Sequence, residues 1–188
     1  MSRLDAKLPA VLLVHGGRGP VGADLLAGRA VVRAVVEPDL HSPQACWQAA
    51  ARVRAVVEQV RGDPRVDGER IALWFFADCG PLSDEWLRTP PPWLRCLALT
   101  DPVLDGSAGP NFRPIEAVEV VGAAAYAGIA GAMCANELPI VLTRSGAAPA
   151  GVEAFVAAAE FAAASLTVVD TPTGGQRQAI DQVLARLG

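Results

Sequence analysis

Short runs of β-branched residues and leucine alternate with helical patterns along the whole chain, and this alternation leaves few folds open. Strand, helix and strand again is the signature of a parallel sheet covered by helices on both faces. The predicted strands are 8–14, 30–36, 70–76, 94–100, 139–143 and 166–170. Ser42-Pro43 opens a helix over 43–61: Ser is a capping residue, Pro suits the first helical position, and Val53, Val56, Val57 and Val60 share one face. Gly62, ahead of Pro64, ends it. Two further helices are predicted over 152–164 and 176–187. The stretch 101–114 carries Pro102, Gly106, Gly109, Pro110 and Pro114, so it is expected to cross the top of the sheet as a loop.

The 188 residues suit one domain, 1–188, and 52% apolar against 19% charged residues is the composition of a packed core. A net charge of −4 gives no basic field, so neither nucleic acid nor a membrane surface is an expected partner. Cys46, Cys79, Cys96 and Cys134 lie far apart with no C-x-x-C and no histidine at ligand spacing, so neither a metal site nor a disulfide framework is expected. No cofactor is expected either. A reducing cytoplasm fits, and no apolar run has the length of a signal peptide or a membrane span.

Three stretches carry a resemblance. Val11 to Val14 followed by His15-Gly16-Gly17 resembles the strand and H-G-G loop of α/β-hydrolases, and 63–74, Asp-Pro-Arg-Val-Asp-Gly-Glu-Arg-Ile-Ala-Leu-Trp, resembles the lead into that family's nucleophile strand. The order of the remaining elements fits as well, and the dienelactone-hydrolase and esterase branch is the most similar. The resemblance implies a doubly wound, mostly parallel six-stranded sheet without the family's first strand pair, because the H-G-G strand lies at the N-terminus. It also marks departures. The family's nucleophile elbow is G-x-S-x-G, whereas this frame holds Phe75-Phe76-Ala77-Asp78-Cys79, with Ala77 at the nucleophile position. Arg144-Ser145-Gly146 follows the next-to-last strand, where the family keeps its acid, and Gln176 or Arg177 stands where it keeps its histidine. The resemblance therefore implies a hydrolase scaffold that has lost its triad.

Ligands of a doubly wound sheet bind at the carboxyl ends of the strands, which singles out the residues just after each one. Asp78, Asp101 and His15 are the candidate proton-handling groups; Gly16, Gly17, Arg18, Phe76, Ala77, Cys79, Ser145, Gln176 and Arg177 are candidate substrate contacts. Each has a plainer reading: His15 and His41 as loop supports, Asp78 as a helix-start residue, Asp101 as a turn cap, Cys79 as an inert buried thiol and Arg177 as a solvated side chain. Phe75, Phe76, Trp86 and Phe112 are expected to wall an apolar pocket. Residues 120–135 read either as a lid or as a packed helix.

The first functional expectation is a small-molecule protein, in natural-product metabolism for instance, that moves protons in an isomerisation, epimerisation, dehydration or cyclisation. A non-catalytic binding module and a hydrolase using Cys79 or an Asp-activated water are the alternatives. An edge strand at 30–36 is expected to be covered, by strand pairing in a homodimer or by an N-terminal arm folded over it.

Overall fold

The computed structural model describes residues 6–17, 23–37, 40, 42–104, 137–146, 152–161, 163–171 and 176–188. Six strands, β1 (Leu8–His15), β2 (Val31–Val36), β3 (Val66–Phe76), β4 (Leu94–Thr100), β5 (Ile140–Arg144) and β6 (Leu166–Asp170), form one sheet in the order β2-β1-β3-β4-β5-β6. Every neighbouring pair is parallel. Helices α1 (Pro43–Arg61), α2 (Asp84–Arg88) and α3 (Val152–Phe161) lie between strands and α4 (Gln176–Leu187) follows β6, with 3-10 turns at Ala23–Leu26 and Ala77–Ser83. Arg18, His41, Phe112 and the 120–135 segment lie outside the described residues.

The period of two along each strand sorts side chains into two cores. Leu12, Val14, Leu73, Phe75, Leu97, Leu99, Ile140 and Leu142 pack against α1, α2 and α3. Val11, Leu13, Ala72, Trp74, Cys96, Ala98 and Val141 face the other way, onto Ala179, Ile180 and Val183 of α4 and Leu26 of the first 3-10 turn. A sheet buried on both sides is what continuous apolar strands require.

Helix α1 begins and ends as its residues dictate. The Ser42 hydroxyl accepts from the Ala45 N–H at 3.1 Å, Pro43 takes the first turn, and the Gly62 N–H closes on the Glu58 carbonyl. Its buried face runs through Cys46, Ala49, Ala50, Val53, Val57 and Val60, with Val56 only half-buried.

Elsewhere the boundaries moved. Strand β3 starts four residues before the predicted 70, because Leu8 pairs with Val66 and Gly68 lets the strand pass close to α1. A Cβ at Gly68 would stand 3.2 Å from the Arg61 carbonyl oxygen. Helix α3 stops at Phe161 instead of 164, since Ala163 turns left-handed (φ 53°) and the Ala164 N–H reaches back to the Ala159 carbonyl at 2.9 Å.

The described members of the expected aromatic wall are divided between the two faces of the sheet. Phe75 is fully buried on the α1 side, while Phe76 points to the opposite face and stacks on Trp74 at 5.4 Å. Trp86 packs edge-on against Trp93 at 5.7 Å and lines a groove of about 1120 Å³ between α1 and α2, bordered by Trp47, Arg54 and Pro81. Phe75 and Trp86 share the α1-side core, whereas Phe76 lies on the opposite face of the sheet.

Candidate functional site at the strand ends

The site is built from the residues at the carboxyl end of each strand. At the end of β1, His15 is buried, and its Nδ1 accepts the Gly17 N–H at 3.3 Å. With Nδ1 as acceptor, the neutral ring carries its proton on Nε2. Gly17 sits at φ 115°, a conformation that favours glycine, so the H-G-G turn folds back over its own histidine. The His15 carbonyl in turn accepts the Glu37 N–H at 2.9 Å.

The end of β3 is a sharp turn in which Phe76 is extended and Ala77 takes φ 45°, in the left-handed region that costs a non-glycine residue about 1–3 kcal/mol. Only a methyl group projects from that position. The chain then winds into the Ala77–Ser83 3-10 turn, whose tight packing rests on Gly80. A Cβ there would meet Pro102 Cβ at 2.8 Å and Pro102 Cα at 3.3 Å. The Ala77 carbonyl accepts the Val103 N–H at 3.1 Å, fastening this turn to the segment after β4.

Cys79 is 0% exposed, and its thiol is pushed up to about 12, first by burial and then by the charges of Asp78 and Glu37. This burial is in keeping with the plainer reading of Cys79 as an inert buried thiol. Asp78 is exposed and caps nothing. It lies in the first turn of the 3-10 helix.

Asp101 ends β4 at φ 43° with its N–H donating to the Thr143 carbonyl at 2.9 Å. Its carboxylate reaches across to β5: Oδ1 accepts the Ser145 N–H at 2.7 Å, and Oδ2 accepts the Ser145 hydroxyl. The structure thus brings Asp101 together with Ser145. No hydrogen bond joins Asp101 to Asp78 among the described residues.

On the far side, the Arg144 Nε donates to Asp170 at 2.8 Å and its Nη1 to Glu153 at 3.0 Å, and the Asp170 bond is the main cause holding this guanidinium above the ordinary arginine value. The Arg144 carbonyl accepts both the N–H and the hydroxyl of Thr171, at 2.7 and 3.1 Å. Gln176 is half-buried and Arg177 exposed at the start of α4.

One strand-end residue was missed. Glu37, directly after β2, is 1% exposed and clamped by Arg52, whose Nε donates at 2.8 Å and whose Nη2 closes the second arm. Its position one residue past a predicted strand was the available signal. Among the described residues no three His, Cys, Asp or Glu side chains converge as metal ligands, and no helix is long and apolar enough to cross a membrane.

No family profile and no curated protein sequence matches this chain. Solved structures do. Carboxyl esterase 2 from Tuber melanosporum superposes with a TM-score of 0.66 at 15% identity, over 98% of this chain and 79% of the esterase. A protein of α/β-hydrolase fold and unknown function gives 0.64 at 12% identity, over 94% and 87%. The acylaminoacyl peptidase of Pyrococcus horikoshii gives 0.60 at 14% identity over 96% of this chain, which spans only 35% of the peptidase. At these identities the likeness establishes the fold: this is an α/β-hydrolase-fold chain whose structural neighbours include esterases and peptidases.

Proposed function

We propose that this chain is a triad-less protein of the α/β-hydrolase fold, on the dienelactone-hydrolase side of it, that binds a small organic intermediate and moves a proton on it without an acyl-enzyme. What carries the reading is the contrast between two neighbouring strand ends. The strained turn after β3 presents Ala77, and the turn after β4 presents a carboxylate that holds a hydroxyl.

In the proposed step the Asp101 carboxylate is the base and Ser145 the relay. A proton leaves an acidic C–H or O–H of the ligand for Ser145 Oγ while the hydroxyl's own proton passes to Asp101 Oδ2; return of a proton at another position completes an isomerisation, epimerisation or ring closure. His15, with its proton on Nε2, is the proposed donor to the ligand oxygen that gains charge. Gly16, Gly17, Arg18, Phe76, Ala77, Gln176 and Arg177 are its proposed neighbours, and Asp78 a second, solvated carboxylate. A cytoplasmic place in natural-product metabolism suits such chemistry.

A second reading, a non-catalytic binding module, takes support from the same Asp101–Ser145 bond, since it also ties β4 to β5 as a simple brace. The burst phase of p-nitrophenyl acetate cleavage tests the absence of an acyl-enzyme. None is expected from the native chain or from Ala77→Ser, which gains a hydroxyl without a base to activate it. A burst in the native chain that survives Cys79→Ala contradicts the proposal.

A further inference from the structure

Strand β2 is an edge of the sheet, and nothing among the described residues pairs with its outer side. Its inner side is fixed by the Glu37 N–H, which points at the His15 carbonyl of β1. Backbone direction alternates along a strand, so Val31, Arg33 and Val35 also turn their N–H and C=O groups inward. Val32, Ala34 and Val36 therefore turn theirs outward. The same three residues share a side-chain face: Val32 packs at the margin of the α4-side core, Ala34 is exposed, and Val36 is 51% exposed. The 3-10 turn Ala23–Leu26 packs beside β2 and leaves Leu25 39% exposed.

Protected edges carry lysine, proline, a bulge or an inward charge. Val31–Val36 has no lysine, proline or bulge. Its one charged side chain, Arg33, lies 3.5 Å from Asp63 on its own chain. At the other edge, by contrast, Arg186 donates to Thr167 of β6 at 2.9 Å and Arg144 pairs with Asp170.

We infer that β2 pairs antiparallel with β2 of a second copy across a two-fold axis, with Ala34 opposite the partner's Ala34 and Val32 opposite the partner's Val36. This register pairs every outward N–H and C=O of Val32, Ala34 and Val36, because hydrogen-bonded neighbours in an antiparallel ladder exchange both bonds. It also lays Val36, Ala34 and Val32 along the partner's Val32, Ala34 and Val36 as one apolar stripe. The alternative centred one residue earlier sets Arg33 against the partner's Arg33, a like-charge contact, and leaves Val36 outside the ladder. The strand's own sequence thus favours the register centred on Ala34 over the one centred on Arg33. The pairing is independent of the chemistry proposed at the strand ends.

Sedimentation of the full chain at about 10 μM, with amide hydrogen exchange read residue by residue, is the test. The expected result is a dimer in which Val32, Ala34 and Val36 exchange slowly. Ala34→Pro, which removes an N–H that makes no bond among the described residues, and Val36→Lys are each expected to give a folded monomer by circular dichroism. In the lysine variant the Val32 and Ala34 amides should exchange at least about tenfold faster, while Val31 and Val35 stay protected. A native monomer overturns the inference, whether its outward amides are fast or are shielded by another part of the chain. So does a dimer that persists in both variants.

Discussion

Ala77, Gly80 and Asp101 each occupy a position where a change of one or a few atoms has a calculable effect. Gly80 touches Pro102 so closely that Gly80→Ala must displace backbone, and a loss of about 1–3 kcal/mol in urea unfolding is expected. An unchanged midpoint would show that the 3-10 turn yields. Ala77 and Gly80 were unequally legible. The five-residue frame identified Ala77 from the sequence alone, because a strand of known type leads into it. Gly80 needed the path of Pro102, which no local pattern gives. Asp101 and Ser145 were both recognisable as strand-end residues, but their pairing depends on β4 and β5 being neighbours. Asp78, grouped with Asp101 as a proton-handling candidate, is exposed and has no hydrogen bond to it among the described residues. Glu37 escaped notice because its burial depends on Arg52, fifteen positions away on α1.

Among the elements, α1 shows how far local rules reach. Ser42, Pro43 and Gly62 set both its ends, and Ser42→Ala is expected to cost about 1 kcal/mol, measurable as a shift in the unfolding midpoint without change in slope. The strands were legible for the same reason: period-two burial on two faces demands long apolar runs. Boundaries failed where tertiary contact decided them, at Val66, drawn into pairing by Leu8, and at Ala163, where the chain leaves α3 through a left-handed turn. The turn after Ala77, where Asp78 was a candidate helix-start residue, is 3-10, and Pro81 inside it speaks against a long α-helix.

At the scale of the molecule, two buried thiols link the cores to pH. Burial holds Cys79 and Cys96 up at about 12, against an ordinary value of 9.0. The folded chain keeps protons that the unfolded chain releases first, so their contribution is complete below pH 9.0 and is lost as pH rises through about 12. Urea midpoints should fall between about pH 8 and about pH 10.5, and the Cys79→Ala/Cys96→Ala variant should show a shallower fall over the same range. Equal slopes in the two proteins would remove the thiols from the explanation. Both thiols should also resist a disulfide reagent in the native state and react on unfolding.

Whether this scaffold moves protons through Asp101 and Ser145 is decided most directly by deuterium incorporation. A ligand that raises the melting temperature, drawn from a panel of small ketones and lactones bearing an acidic C–H, is incubated with the protein in D₂O and followed by NMR. The account predicts incorporation well above the solvent rate, lost in Asp101→Asn while affinity stays within about tenfold, and lowered by about 10²-fold or more in Ser145→Ala. Ligand bound with no incorporation above background, or incorporation undiminished in both variants, would contradict it.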